Sequence, residues 1–254
     1  MAEFLSYESG DAVPAEVSFD ADFLDDAEFR GAHPFAVIAE IRGFAADEDG
    51  QPGDDVADAL YDVESAIESA VNAAGGALVA TATEEGVFTI VCYAATGSVS
   101  DAVRAAAGKA FAVDVHVERD DSWSEYERYA LRGEELEGAR DAAQIEQLAE
   151  EGADLHRDYA VLFDVQFPEP QRVPDAAAAL EAAAFTSGVF EEDGGGIVVE
   201  CVIPLTLESL KNARTRIIGA IAPFGGRYEG WGIDDEEMPD GELPTDEDDE
   251  DSEA

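Results

Sequence analysis

Lysine is nearly missing from this chain. Only Lys109 and Lys211 occur among 254 residues, and twelve arginines supply the other positive charges. Phosphate recognition needs clustered Lys and Arg, and no cluster is present, so direct nucleic-acid binding is not expected. Cysteine is scarce as well. Cys92 and Cys201 lie 109 positions apart, each inside an apolar run, which predicts two reduced, buried thiols rather than a disulfide framework. Of the three histidines, His33 precedes a proline, His116 sits on the polar side of VDVHVER, and His156 marks an element boundary. HxxxH, HExxH, CxxC and GxSxG are all missing, so no catalytic, cofactor-binding or metal residue is expected. The glycine run 194–199 leads into a strand rather than a helix, which removes the phosphate cradle. No apolar run approaches the ~18 residues of a membrane span. The opening MAEFLSYESGDAV has no basic segment and no apolar stretch, unlike a signal peptide. Together these absences predict a cytoplasmic protein with no cofactor.

Acid is what the chain has in abundance. Sixty Asp and Glu stand against 14 Lys and Arg, for a net charge of −46. Thirteen of the acids fall in residues 232–254, which hold no base; the other 47 against 14 bases still leave −33. The acidity therefore belongs to the folded body as well as the tail. Such a body repels itself in dilute buffer. Molar salt, where the Debye length falls to roughly 3 Å, relieves that repulsion. The composition reads as that of a salt-adapted, halophile-type protein, with an acidic protein that mimics nucleic acid or binds a basic partner as the alternative. At 46% apolar and 9% aromatic it nevertheless has the means to build a core.

The hydrophobic pattern predicts two β-α-β-β-α-β units. A hairpin opens the chain, with strands at 3–7 and 15–20 about a turn at 9–11, followed by a linker or short helical turn at 22–31. A strand follows at 33–44. Val56, Leu60, Val63, Ile67 and Val71 recur at helical spacing, with Asp54 or Asp55 as the expected N-cap. Two strands about 84–86, a helix capped by Ser100 and a strand at 112–119 complete the first unit. Residues 121–155 read as an acidic helical connector. The order then repeats: a strand at 157–167, a helix at 173–185, and two strands about 193–195. A helix follows with Leu207, Leu210, Ala213, Ile217 and Ile221 on one face, then a closing strand RYEGW. The expected fold class is α+β: two ferredoxin-like domains, a helical connector and a disordered acidic tail. The boundaries are 1–131, 132–156, 157–232 and 233–254. Tyr228 and Trp231 fall on the closing strand. They read first as packing residues, and second as an aromatic pair facing a partner.

The second unit resembles the RraB family, regulators of ribonuclease activity also called ribonuclease E inhibitor protein B. The likeness lies in DYAVLFDVQFPEP, VPDAAAALEAAAF, VVECVIPLTLESL and the terminal GGRYEGW. The first unit resembles an uncharacterised domain found fused ahead of such regulators, through HPFAVIAEI, the helix at 56–73 and DDSWSEYERYAL. The resemblance implies a non-catalytic protein that binds a protein partner, with a ribonuclease as the candidate, and so alters RNA turnover. The residues leave a second reading open: a small-ligand binder or enzyme between the two domains, using His116 or His156.

Overall fold

The computed structural model describes residues 3–9, 15–47, 50–188 and 195–233. The turn residues expected at 10–11 and 193–194, the strand residues 189–192 and the tail residues 234–254 lie outside them. The chain divides into two compact units, Met1–Ala139 and Arg140–Ala254. Seven α-helices and two antiparallel sheets are present among the described residues, so the protein is α+β.

The first unit opens with the hairpin β1 (Phe4–Ser9) and β2 (Ala15–Asp20), followed by the short helix α1 (Ala27–Ala32). Next come β3 (Phe35–Arg42), α2 (Asp54–Ala73), β4 (Ala77–Glu84), β5 (Val87–Ala94), α3 (Val99–Ala106) and β6 (Ala112–Arg119). The sheet order is β1-β2-β4-β5-β3-β6. Period-2 alternation gives the sheet two buried faces. One packs Val37, Ala39, Ile41 and Ile90 against Leu60, Val63, Ile67 and Val71 of α2. The other packs Ala36, Val91 and Tyr93 under Trp123, Tyr126 and Tyr129.

Two expected caps move. Gly53 is the N-cap of α2, and Asp54 and Asp55 lie in its first turn, where carboxylates meet the positive end of the helix dipole. The N-cap of α3 is Ser98, and Ser100 is buried inside the first turn. The acidic connector region follows. It holds the single turn α4 (Ser124–Glu127) and the longer α5 (Gly133–Glu150). Leu136 and Ala139 of α5 join the first unit's core, and Ile145 and Leu148 join the second's.

The second unit continues with β7 (Asp158–Gln166), α6 (Val173–Ala182), β8 (Thr186–Gly188), β9 (Gly196–Pro204), α7 (Leu207–Ile221) and β10 (Arg227–Ile233). Its sheet order is β10-β7-β9-β8, with every neighbouring pair antiparallel. One face carries the core: Tyr159, Val161, Phe163 and Val165 of β7 meet Leu180 of α6 and Leu210, Ala213, Ile217 and Ile221 of α7. Leu207, expected on that stripe, is 49% exposed. It is the first helical residue, and the buried position at this face goes instead to Arg214.

Candidate functional site

The closing strand β10 carries Tyr228 and Trp231. Three residues apart on a regular strand, they would face opposite sides of the sheet. A bulge between Tyr228 and Gly230 adds one residue, so Tyr228 pairs with Val165 and Trp231 with Phe163. Both rings therefore face inward with those partners. Gly230 supplies the φ of +153° that the bulge requires. Tyr228 is half-buried, its ring 6.4 Å from that of Phe163. Trp231 is buried at 8% exposure.

Trp231 ends on a buried charge. Its indole N–H donates to Asp141 Oδ1 at 2.9 Å. The other oxygen, Asp141 Oδ2, accepts from the guanidinium of Arg214. Asp141 and Arg214 are 2% and 4% exposed. Gln144 Nε2 of α5 donates to the Trp231 carbonyl at 2.9 Å. Thus α5, α7 and β10 meet at one satisfied polar cluster inside an apolar core. The glycines before it serve the same closure. A Cβ at Gly226 would lie 2.6 Å from Phe167 Cε1, so the chain turns into β10 against that ring only without a side chain. Sequence reasoning placed Tyr228 and Trp231 but missed Asp141 and Arg214. The signal was an arginine at a core position of the Leu210–Ile221 stripe, which demands a buried counter-charge.

The first unit has a comparable closure. Asp120 accepts from Tyr93 Oη at 2.5 Å, Ser122 Oγ at 2.9 Å and the Glu125 amide at 3.0 Å. Burial alone would raise this carboxyl. The hydrogen bonds outweigh it and hold Asp120 well below the usual carboxylate range. Burial first, and the Asp120 hydrogen bond second, push the Tyr93 phenol far up. Trp123 stacks on Tyr93 at 3.9 Å and donates to the carbonyls of Arg30 and His33. The DDSW stretch is thus a packing device.

The histidines do not converge. Both ring nitrogens of His33 face carbonyl oxygens, of Phe29 and Gly75. The amide of His156 donates to Asp154. His116 alone joins acids: with Glu40 and Asp114 it offers donor atoms within 4.8 Å of one another. That set could hold a cation, but Arg42 already sits 2.7 Å from Glu40 Oε2. Glu40 and His116 border an open groove of about 570 Å³ on the first unit's sheet, with Glu84, Glu118, Glu125 and Arg128. Cys92 is fully buried, and burial pushes its thiol far up; Cys201 is half-buried, and burial raises its thiol too. Among the described residues no helix is long and apolar enough to cross a membrane.

The chain is therefore a two-unit α+β protein whose aromatic motifs pack into its cores. Residues 139–233 match the family model described as Regulator of ribonuclease activity B. Residues 7–130 match that of a Family of unknown function (DUF695). The arrangement is the one the sequence resemblance implied. The first of these matches opens two residues before Asp141, so it takes in the part of α5 that holds Trp231. No curated protein matches the chain. Among solved structures, one titled as the crystal structure of an unknown protein from Galdieria sulphuraria covers 79% of this chain and 98% of its own. Its identity is 9% and its TM-score 0.22, a likeness too distant to carry an argument.

Proposed function

We propose that this protein is a non-catalytic regulator that binds a ribonuclease in the cytoplasm and alters RNA turnover. The observation that carries the reading is the family match over residues 139–233, which spans the buried Asp141–Arg214–Trp231 cluster and the closing strand. Regulation of ribonuclease activity is what that family name describes. Two further features support a protein partner rather than RNA as the direct ligand. Forty-six excess negative charges oppose phosphate. Three of the large aromatic rings, Tyr93, Trp123 and Trp231, are buried and closed to base stacking.

The test is affinity capture from host lysate in about 2 M KCl, where charge attraction between exposed groups is screened. It is run with and without nuclease treatment. A ribonuclease retained in stoichiometric amount after nuclease treatment is the expected result. A ribonuclease lost with the RNA would mean that RNA, not this protein, made the contact.

A further inference from the structure

Among the described residues the second unit leaves one face of its sheet uncovered. Alternation along β7 turns Tyr159, Val161, Phe163 and Val165 into the core and Ala160, Leu162 and Asp164 out. On β9, Val198, Glu200 and Val202 face out beside them. Register places Ala160 against Val202, Leu162 against Glu200, and Asp164 against Val198. The buried apolar residues of α5, α6 and α7 in this unit all join the inner core. Val202 is left 65% exposed. The first unit treats its second sheet face differently and covers it with Trp123, Tyr126 and Tyr129.

Gly232 is the telling residue on this face. It lies opposite Leu162, on the outward side of β10. Its backbone is outside the left-handed region, and a Cβ there meets nothing within 4 Å among the described residues. Among the described residues neither conformation nor packing asks for glycine. A strand glycine often marks a bulge, a bend or close approach by a ligand or another backbone, and the bulge of this strand is served by Gly230. Gly230, beside Asp164, keeps the neighbouring position bare as well.

Charge selects the occupant. Asp164 and Glu200 make no ion pair among the described residues. Burial raises Asp164; among the described residues the cation on the same face, Arg227 opposite Gln166, pairs with Glu229 instead. Apolar side chains alternating with unpaired carboxylates match a partner that is apolar along one stripe and basic beside it. The same carboxylates repel a nucleic-acid backbone.

We propose that this open sheet face, floored by Ala160, Leu162, Val198 and Val202 and kept flat by Gly232, docks an amphipathic helix of a protein partner bearing Lys or Arg beside its apolar stripe. The proposal rests on the regulator reading and assigns its contact to the second unit.

The probe is a fluorescein-labelled peptide of about 18 residues, long enough at ~1.5 Å per residue to cross four strands. It carries a leucine stripe flanked by lysines. A second peptide has glutamate for lysine, and a labelled single-stranded RNA serves as a third ligand. Each is titrated by fluorescence anisotropy against the full chain in about 2 M KCl. The basic peptide binds saturably at one site. Gly232→Trp and Asp164→Lys each weaken it by about tenfold or more, the loss expected when a central contact is blocked. Glu208→Lys, the same charge change on exposed α7, leaves binding within about twofold, as a rim charge does under screening. Circular dichroism confirms that the variants fold; Asp164→Lys, at an exposed position, keeps the test valid if Gly232→Trp does not.

No binding of the basic peptide overturns the proposal. So does equal binding by all variants, equal binding of the acidic peptide, or preference for the RNA. Endoribonuclease activity of host extract, measured with the same proteins, separates this idea from the regulator reading. If Gly232→Trp and Asp164→Lys still alter RNA cleavage as the intact chain does, the face is wrong and the regulator stands. If the peptide binds as expected while the intact chain leaves cleavage unchanged, the regulator reading falls and the face stands.

Discussion

Asp141→Ala is the perturbation that asks most of the structure. It removes the acceptor of Trp231 Nε1 and the carboxylate that pairs with Arg214, both inside the second unit's core. Removing one partner of a buried pair leaves the other charge desolvated and costs roughly 3–5 kcal/mol. At ~4–8 °C per kcal/mol for a unit of this size, the melting midpoint falls by roughly 12–40 °C. Replacing both charges, Asp141→Leu with Arg214→Met, removes the stranded charge. It costs less than the single change, because apolar replacement of a buried pair is often near neutral. The indole N–H then still lacks an acceptor, a residual cost of about 1–3 kcal/mol. The assay is urea unfolding followed by tryptophan fluorescence. The chain has two tryptophans, so a Trp123→Phe background leaves Trp231 as the reporter of its own unit. Salt offers a further check: the cost is the same at low and high KCl, because screening acts on exposed charges. A single-variant cost under about 1 kcal/mol, or a double-variant cost equal to the sum of the two singles, would refute this account of the cluster.

Gly226→Ala drives a methyl to 2.6 Å from Phe167 Cε1 and destabilises the second unit by about 1–3 kcal/mol in thermal melts, whereas Gly232→Ala is close to neutral. The Tyr93 and Tyr126 phenols are both raised, so their stabilisation is complete below the ordinary tyrosine pKa of ~10 and is lost at higher pH as the unfolded chain ionises. Tyr93→Phe makes the fall of the urea midpoint above pH ~10 shallower. A fragment beginning at Arg140 keeps Asp141, Gln144, Ile145 and Leu148 and melts cooperatively; one beginning at 157 strands Arg214 and does not, as read by near-UV circular dichroism. Thermal midpoints of the intact chain rise with KCl from dilute buffer to about 2 M, because −46 of charge is screened.

Most of the architecture was legible in the sequence. The α2 stripe at Leu60, Val63, Ile67 and Val71 and the alternation of β7 each give a local, periodic signal, and each element stands where that signal placed it. The caps were less legible. Gly53 and Ser98 lie just outside the first helical residues, and neighbouring Asp54, Asp55 and Ser100 are equally good capping types, so composition could not choose among them. The connector's pattern changes partner partway. Leu136 and Ala139 serve one core and Ile145 and Leu148 the other, which blurs a single helical stripe. The polar cluster was out of reach for a different reason. Asp141 and Arg214 are 73 residues apart, and in a chain with 60 acids no single aspartate stands out. Only the arginine within an apolar stripe gave notice. The inward turn of both Tyr228 and Trp231 depends on one bulge, which the glycine at 230 hints at but spacing alone contradicts.

The regulator reading meets its most direct test in an RNA cleavage assay. The ribonuclease recovered with this protein is purified away from it, and its cleavage of a fluorogenic RNA is followed as the intact chain is added back in about 2 M KCl. A change in cleavage rate that saturates with added protein, and that the intact chain does not produce with an unrelated ribonuclease, is the predicted result. A rate that stays constant at every concentration would contradict it.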